Sequence, residues 1–123
     1  MADEKRKVVL IAEDDPHWLE NAQELVRDAA PDAEVHLART KDEALQIIGI
    51  HDHLDLVSTD MRMPNQGDGN AVVEAALGKG FRVITLSSTP GDLTEFFVER
   101  VAAVLNKGDD STVMEEAYRK VLA

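Results

Sequence analysis

The sequence predicts an α/β fold: an open, doubly wound sheet of five parallel strands with helices on both faces. Three observations carry this expectation. Short apolar runs alternate with stretches of helical periodicity along the chain. The apolar runs are nearly continuous, as in strands buried on both sides, rather than alternating in polarity. The 123 residues fall well short of the roughly 250 that a closed eight-fold barrel needs. Crossovers between such strands are right-handed.

Val8 to Ala12 reads as the first strand. Asp15 then caps a helix that starts at Pro16, since proline fits a first helical position. Trp18, Ala22, Leu25, Val26 and Ala29 recur at helical spacing, and Pro31 ends that helix. Ala33 to Ala38 is the second strand. Thr40, with Glu43 three residues on, forms a capping box for a second helix carrying Ala44, Leu45, Ile47 and Ile48, stopped near Gly49. Leu54 to Thr59 is the third strand. Asp68 caps a third helix containing Ala71, Val72, Ala75 and Ala76, which Gly78 and Gly80 end. Phe81 to Leu86 is the fourth strand. A short or irregular helix lies between Pro90 and Arg100. Val101 to Leu105 is the fifth strand. Asp109 to Leu122 is the last helix, with Val113, Ala117 and Val121 on one face.

One domain, residues 8–123, follows a polar extension, residues 1–7. The hydrophobic content of 44% suits a single core. With no cysteine, neither disulfides nor thiolate metal sites are available, which fits a reducing compartment. No apolar run approaches a membrane span or the core of a signal peptide, so the expected location is the cytoplasm. A formal charge of −11 repels phosphate backbones, so direct nucleic-acid binding is not expected. The only basic cluster is Lys5-Arg6-Lys7.

Asp60 ends the apolar third strand. Alone it would be a turn cap before Pro64. All strands of a parallel sheet present their C-terminal ends at one edge, where such sheets place their chemistry. Glu13, Asp14 and Asp15 follow the first strand, Ser87 and Ser88 the fourth, and Lys107 the fifth. Brought together, these carboxylates need a counter-charge. A magnesium ion supplies one through oxygen ligands, while the absence of His and Cys among the converging groups argues against zinc. The chemistry expected is phosphoryl transfer to a carboxylate nucleophile, with Ser87 bonding a phosphoryl oxygen.

These segments resemble the receiver domain of two-component response regulators, of the single-domain, chemotaxis-regulator size. The resemblance rests on Ile11-Ala12-Glu13-Asp14-Asp15-Pro16, Ser58-Thr59-Asp60-Met61-Arg62-Met63-Pro64, Leu86-Ser87-Ser88 and Leu105-Asn106-Lys107, each after an expected strand and in the family's order. It covers roughly residues 8 to 123. It implies a flavodoxin-like sheet of order 2-1-3-4-5. It implies that Asp60 is the phosphoacceptor, and that Glu13, Asp14, Asp60 and the backbone carbonyl of Arg62 hold Mg2+. Ser87 and Lys107 would contact the phosphoryl group, and the Arg62 side chain and Thr89 would tune its lifetime. The phosphodonor would be a sensor histidine kinase or a histidine phosphotransfer protein, with transfer and loss of the phosphoryl group self-catalysed rather than turned over on a substrate.

The sequence departs from the family in four places, one being the third loop, Asn65-Gln66-Gly67-Asp68-Gly69, which reads as one residue longer and more polar than the family's. Val104 occupies the switch position where many receivers carry an aromatic, so the coupled swing of hydroxyl and ring is not expected in that form. Gly108 replaces the usual proline after the lysine. Only 20 positions separate Ser87 from Lys107, from which a truncated fourth helix is expected. A receiver fold serving as a phosphorylation-independent protein-binding module is therefore the alternative reading. An aspartate-nucleophile phosphatase would want a second acid where Arg62 stands, and a flavin carrier would want a phosphate-friendly first loop where Glu13, Asp14 and Asp15 stand.

The remaining singular residues have blander readings. His51 and His53 read as a solvated loop, because no other ligand candidate lies near them in sequence. His17 reads as helix surface and Trp18 as core. Phe96 and Phe97 are expected to pack the short fourth helix, an exposed one marking a partner patch.

Overall fold

The computed structural model describes residues 6–123; the first five residues of the expected N-terminal extension, including Lys5, lie outside the described residues. The elements are β1 (Val8–Ala12), α1 (Pro16–Ala29), β2 (Glu34–Ala38), α2 (Lys41–Ile50), β3 (Leu56–Thr59), α3 (Asp68–Gly78), β4 (Val83–Ser87), α4 (Glu95–Val98), β5 (Ala103–Asn106) and α5 (Ser111–Leu122), with a 3-10 turn at Pro90–Asp92. All pairings are parallel, in the order β2-β1-β3-β4-β5. The expected fold class and strand order are those observed.

Two apolar layers sandwich the sheet. On one side Leu10, Ala12, Val57 and Val83 pack against Ala44 and Ile48 of α2 and Val72, Val73 and Ala76 of α3. On the other, Val9, Ile11, Leu56 and Ile84 pack against Ala22, Leu25 and Val26 of α1 and Met114, Tyr118 and Val121 of α5. This alternation along β1 explains its continuous apolar run: both strand faces are covered.

Local chemistry sets most boundaries. Asp15 accepts from His17 N and Trp18 N, and Pro16 opens α1. Thr40 accepts from Glu43 N, but Glu43 reaches one residue further back than a capping box requires, to Arg39 N. Gly49 does not stop α2, which runs on to Ile50. Asp68 is not the cap of α3. Gly67 takes that place at φ 96°, and the Asp68 carboxylate folds back onto Asn65 N at 3.0 Å. α5, expected from Asp109, starts at Ser111 with Asp110 as its cap.

The face expected for α5 is corrected. Val113 is 49% exposed, and the buried stripe is Met114, Tyr118, Val121 and Leu122. The stripe is centred on Met114 and Tyr118, and Val113 lies about 100° round the helix from Met114, at the solvent side. α4 is four residues long, as the short Ser87-to-Lys107 spacing leads one to expect. Its two aromatics divide: Phe97 packs against the core, whereas Phe96 is 62% exposed.

Candidate functional site

The C-terminal edge of the sheet gathers the residues expected there. Asp60 N donates to Ala12 O at 3.0 Å, which extends the β1–β3 pairing by one residue and sets Asp60 beside the end of β1. Lys107 N donates to Ser87 O at 2.9 Å, extending the β4–β5 pairing in the same way. Four strands, not consecutive in the chain, thus deliver four functional residues to one place.

Lys107 ties the site together. Its Nζ lies 2.9 Å from Glu13 Oε1 and 3.1 Å from Asp60 Oδ2. All three side chains are buried. The ammonium also stands over the Trp18 ring, 5.2 Å from its centre, so that Trp18 packs on the core and presents its ring to the site. Asp60 Oδ1 accepts from Met61 N at 2.7 Å, which fixes the carboxylate's rotation. Glu13 Oε2 accepts from Asp15 N at 3.2 Å.

Burial pushes the Glu13 carboxyl up to about 8; Lys107 opposes that shift and the neighbouring Asp60 charge adds to it. For Lys107, burial works against the charge, but Glu13 and Asp60 together outweigh it and hold its pKa above the usual lysine value. One ammonium between two carboxylates leaves the cluster short of positive charge.

Glu13, Asp14 and Asp60 each offer a carboxylate oxygen, and these oxygens lie within 4.8 Å of one another. An all-oxygen donor set with an unbalanced negative charge fits Mg2+. Arg39 Nη2 donates to Asp14 O at 3.0 Å, steadying the loop that carries the acidic pair.

Ser87 is buried at the end of β4. Its Oγ accepts from Thr89 N at 3.0 Å and lies 3.2 Å from Thr89 Oγ1. The two hydroxyls expected near the phosphoryl group are therefore paired with each other, without a hydrogen bond from Ser87 to Asp60. The Arg62 side chain points elsewhere too. Its Nε donates to Asp92 Oδ2 at 2.6 Å and its Nη2 to Asp92 Oδ1 at 3.3 Å. Asn70, in the first turn of α3, holds the same loop by donating to Asp92 O and accepting from Thr94 N, both at 2.8 Å. Val104 is 37% exposed on β5 and pairs in register with Thr85.

Three contributors were not expected from sequence. Gly69 N donates to Met61 O at 2.9 Å, and a side chain on Gly69 would run into Asp60 O and Met61 Cα. The start of α3 thus touches the backbone of Asp60 itself, and the Gly67-Asp68-Gly69 run was the available signal. Tyr118 Oη sits 2.6 Å from Ser58 Oγ, tying α5 to β3 two residues before Asp60. Asn70 is the third, a lone polar residue with no sequence mark.

A family model described as the response regulator receiver domain matches residues 9–119. The chain belongs to this family. Receiver structures share its fold across almost the whole length. A receiver domain (CheY-like) from Methylobacillus flagellatus is 20% identical, with TM-score 0.76, covering 95% of this chain and 99% of that one. The response regulator protein TrrA from Thermotoga maritima, in complex with Mg(2+)-BeF, is 21% identical, with TM-score 0.77, covering 94% of this chain and 99% of that one. A glycerol metabolism activator from Pseudomonas putida is 39% identical over 56 residues, 46% of this chain and 25% of that protein. The receiver therefore spans much less than two thirds of that relative. Among the described residues, no helix of the receiver is long and apolar enough to cross a membrane.

Proposed function

We propose that this receiver is a phosphorylation-dependent switch in which Asp60 accepts a phosphoryl group from a phosphohistidine on a sensor kinase or phosphotransfer protein. The observation that carries the reading is Lys107 held between Glu13 and Asp60 beside a third carboxylate, Asp14. The Mg(2+)-BeF complex of the Thermotoga relative supports the same cofactor here.

Glu13, Asp14 and Asp60 would hold Mg2+, with the Arg62 carbonyl as a further oxygen ligand. When bound, the ion screens the carboxylates and draws charge from the incoming phosphoryl oxygens. Asp60 Oδ2 is the attacking oxygen: Oδ1 is already engaged by Met61 N. The phosphorus–nitrogen bond of the donor breaks as the Asp60 oxygen–phosphorus bond forms, and the electron pair leaves with the donor imidazole. Lys107 exchanges a carboxylate oxygen for a phosphoryl oxygen without leaving its place. Ser87 must release Thr89 to reach the phosphoryl group, so the Ser87–Thr89 pair is the switch's resting state.

Val104 supplies no ring to follow Ser87 inward. The response instead passes through the β4–α4 loop, which Arg62 and Asn70 already grip at Asp92 and Thr94. The Arg62–Asp92 pair and Thr89 set how long the acyl phosphate survives. The output is an altered protein-binding surface.

Magnesium with a small-molecule phosphodonor should add one phosphoryl mass to the intact protein, and none to Asp60→Asn. Absence of the mass gain in the wild type would overturn the proposal. It would leave the phosphorylation-independent binding module, for which a groove of about 430 Å³ lined by Leu105, Val113 and Ala117 is available.

A further inference from the structure

The sheet's far edge carries a second cluster of ligands. β2 is an edge strand, paired only with β1. Glu34 and His36, two residues apart, lie on one face of it. His51 is the C-cap of α2, the helix that follows β2. The fold brings these three together: the His36 and His51 rings stand 4.6 Å apart, centre to centre, and each of the three residues offers a ligand atom within 4.8 Å of the others.

We infer that Glu34, His36 and His51 form a binding site for a divalent transition-metal ion of the zinc type, separate from the Asp60 site. The donor chemistry is two imidazoles and one carboxylate, the set that suits zinc and its neighbours and that magnesium does not favour. His51 is already oriented. Its Nδ1 lies 2.8 Å from Ile47 O, a carbonyl that can only accept, so Nδ1 carries the proton and Nε2 is left with a free lone pair. A backbone carbonyl holding the remote nitrogen is the usual support of a metal-binding histidine.

Glu34 divides its oxygens between two partners. Oε1 accepts from Arg6 at 3.2 Å and Oε2 lies 2.7 Å from His36 Nε2. Oε2 therefore already faces the ring nitrogen with which it would share the metal. A metal entering between Oε2 and Nε2 displaces the shared proton, which moves to His36 Nδ1 or to solvent. The pair then opens by roughly 0.7 Å to the spacing of two ligands at about 2.1 Å on a tetrahedral ion. A cation there also faces the carbonyl end of α2. Three protein ligands leave a fourth position for water or a donor from another molecule.

His53 is the built-in control. Its Nε2 lies 2.9 Å from Asp55 Oδ1, in a pair that does not belong to the cluster. The pairing of His51 with His53 that sequence proximity invites is thus the wrong one; the partners come from β2.

The test is a titration of the whole chain with zinc chloride in excess Mg2+, read by calorimetry and by the histidine ring nitrogens in NMR. One zinc should bind per chain, shifting the rings of His36 and His51 and not that of His53. His36→Gln and His51→Gln should each weaken binding at least tenfold, about what loss of a metal's ligand or its support produces. His53→Gln and Asp60→Asn should leave it unchanged. Wild-type rings of His36 and His51 that do not move, or zinc binding lost in Asp60→Asn and retained in His36→Gln, would overturn the assignment. The wild-type ring shifts decide the matter even if a variant folds poorly.

Discussion

Lys107 Nζ stands 3.1 Å from Asp60 Oδ2, across 47 positions of sequence, and the two are held there by backbone pairing of β3 with β4 and of β4 with β5. The contact is therefore a property of the sheet rather than of two flexible side chains. Its removal should be felt differently with and without a divalent ion. Lys107→Met strands Glu13 and Asp60 beside each other, at a loss of about 1–3 kcal/mol, below the value for a fully buried pair because Glu13 can take up a proton. Millimolar Mg2+ should recover most of that loss. Urea unfolding of both proteins with and without Mg2+ measures it, and an equal deficit in both conditions would contradict the account.

Gly69 lies against the backbone of Asp60 and Met61. Gly69→Ala forces backbone apart where no side chain can yield, so a destabilisation of about 1–3 kcal/mol is expected. Gly49→Ala meets nothing within 4 Å. It fills a helix position, where alanine is better by about 0.5–1 kcal/mol. Thermal melting of the two variants should move in opposite directions.

Two residues hold the β4–α4 loop by different means. Arg62→Ala removes an exposed ion pair, whose loss should change stability little. Asn70→Ala removes two hydrogen bonds to Asp92 O and Thr94 N, worth about 1–2 kcal/mol together. The discriminating measurement is exchange of the Thr94 amide hydrogen. It should quicken markedly in Asn70→Ala and little in Arg62→Ala; the reverse order would show that the arginine governs the loop.

Tyr118 is the chain's only tyrosine and is fully buried. Burial, against the opposing Ser58 hydrogen bond, pushes its phenol up to about 12. An unfolded tyrosine ionises near 10. Its contribution to stability is thus fully present below pH 10 and is lost as the pH rises from about 10 to about 12, because the unfolded chain releases the proton first. The two-unit difference corresponds to about 2–3 kcal/mol. Tyr118→Phe should be less stable at neutral pH by about 1–2 kcal/mol, since Ser58 loses its partner. Its stability should fall less steeply above pH 10. Absorbance of tyrosinate in the ultraviolet follows the wild-type ionisation directly.

The sheet and the four strand-end residues were legible because each follows a compact apolar run, and a parallel sheet sends all such ends to one edge. The chemistry of the edge needed no knowledge of side-chain direction. Contacts between faces were not legible. Val113 was grouped on one face with Ala117 and Val121 and faces solvent, because the buried stripe is centred on Met114 and Tyr118 and leaves Val113 beyond its edge. Phe96 and Phe97 differ in burial although they are adjacent and alike. Glu34, His36 and His51 become neighbours only once β2 is known to be an edge strand with α2 returning over it. Asp68 looked like a cap because aspartate often is one. The left-handed turn at Gly67 released it for a different bond.

The acidic edge around Asp60 draws on β1, β3, β4 and β5, so its last component arrives late. A chain extending from its N-terminus presents Glu13, Asp14 and Asp60 long before Lys107 can reach them. Until β5 adds to the sheet, the acidic groups repel one another with no ammonium between them, and long-range parallel pairing is a slow step in folding. Lys107 therefore acts as a clasp that closes only on a finished sheet. Competence to receive a signal is in this way made contingent on the completion of folding, and a chain cut short before β5 would be silent rather than wrongly active.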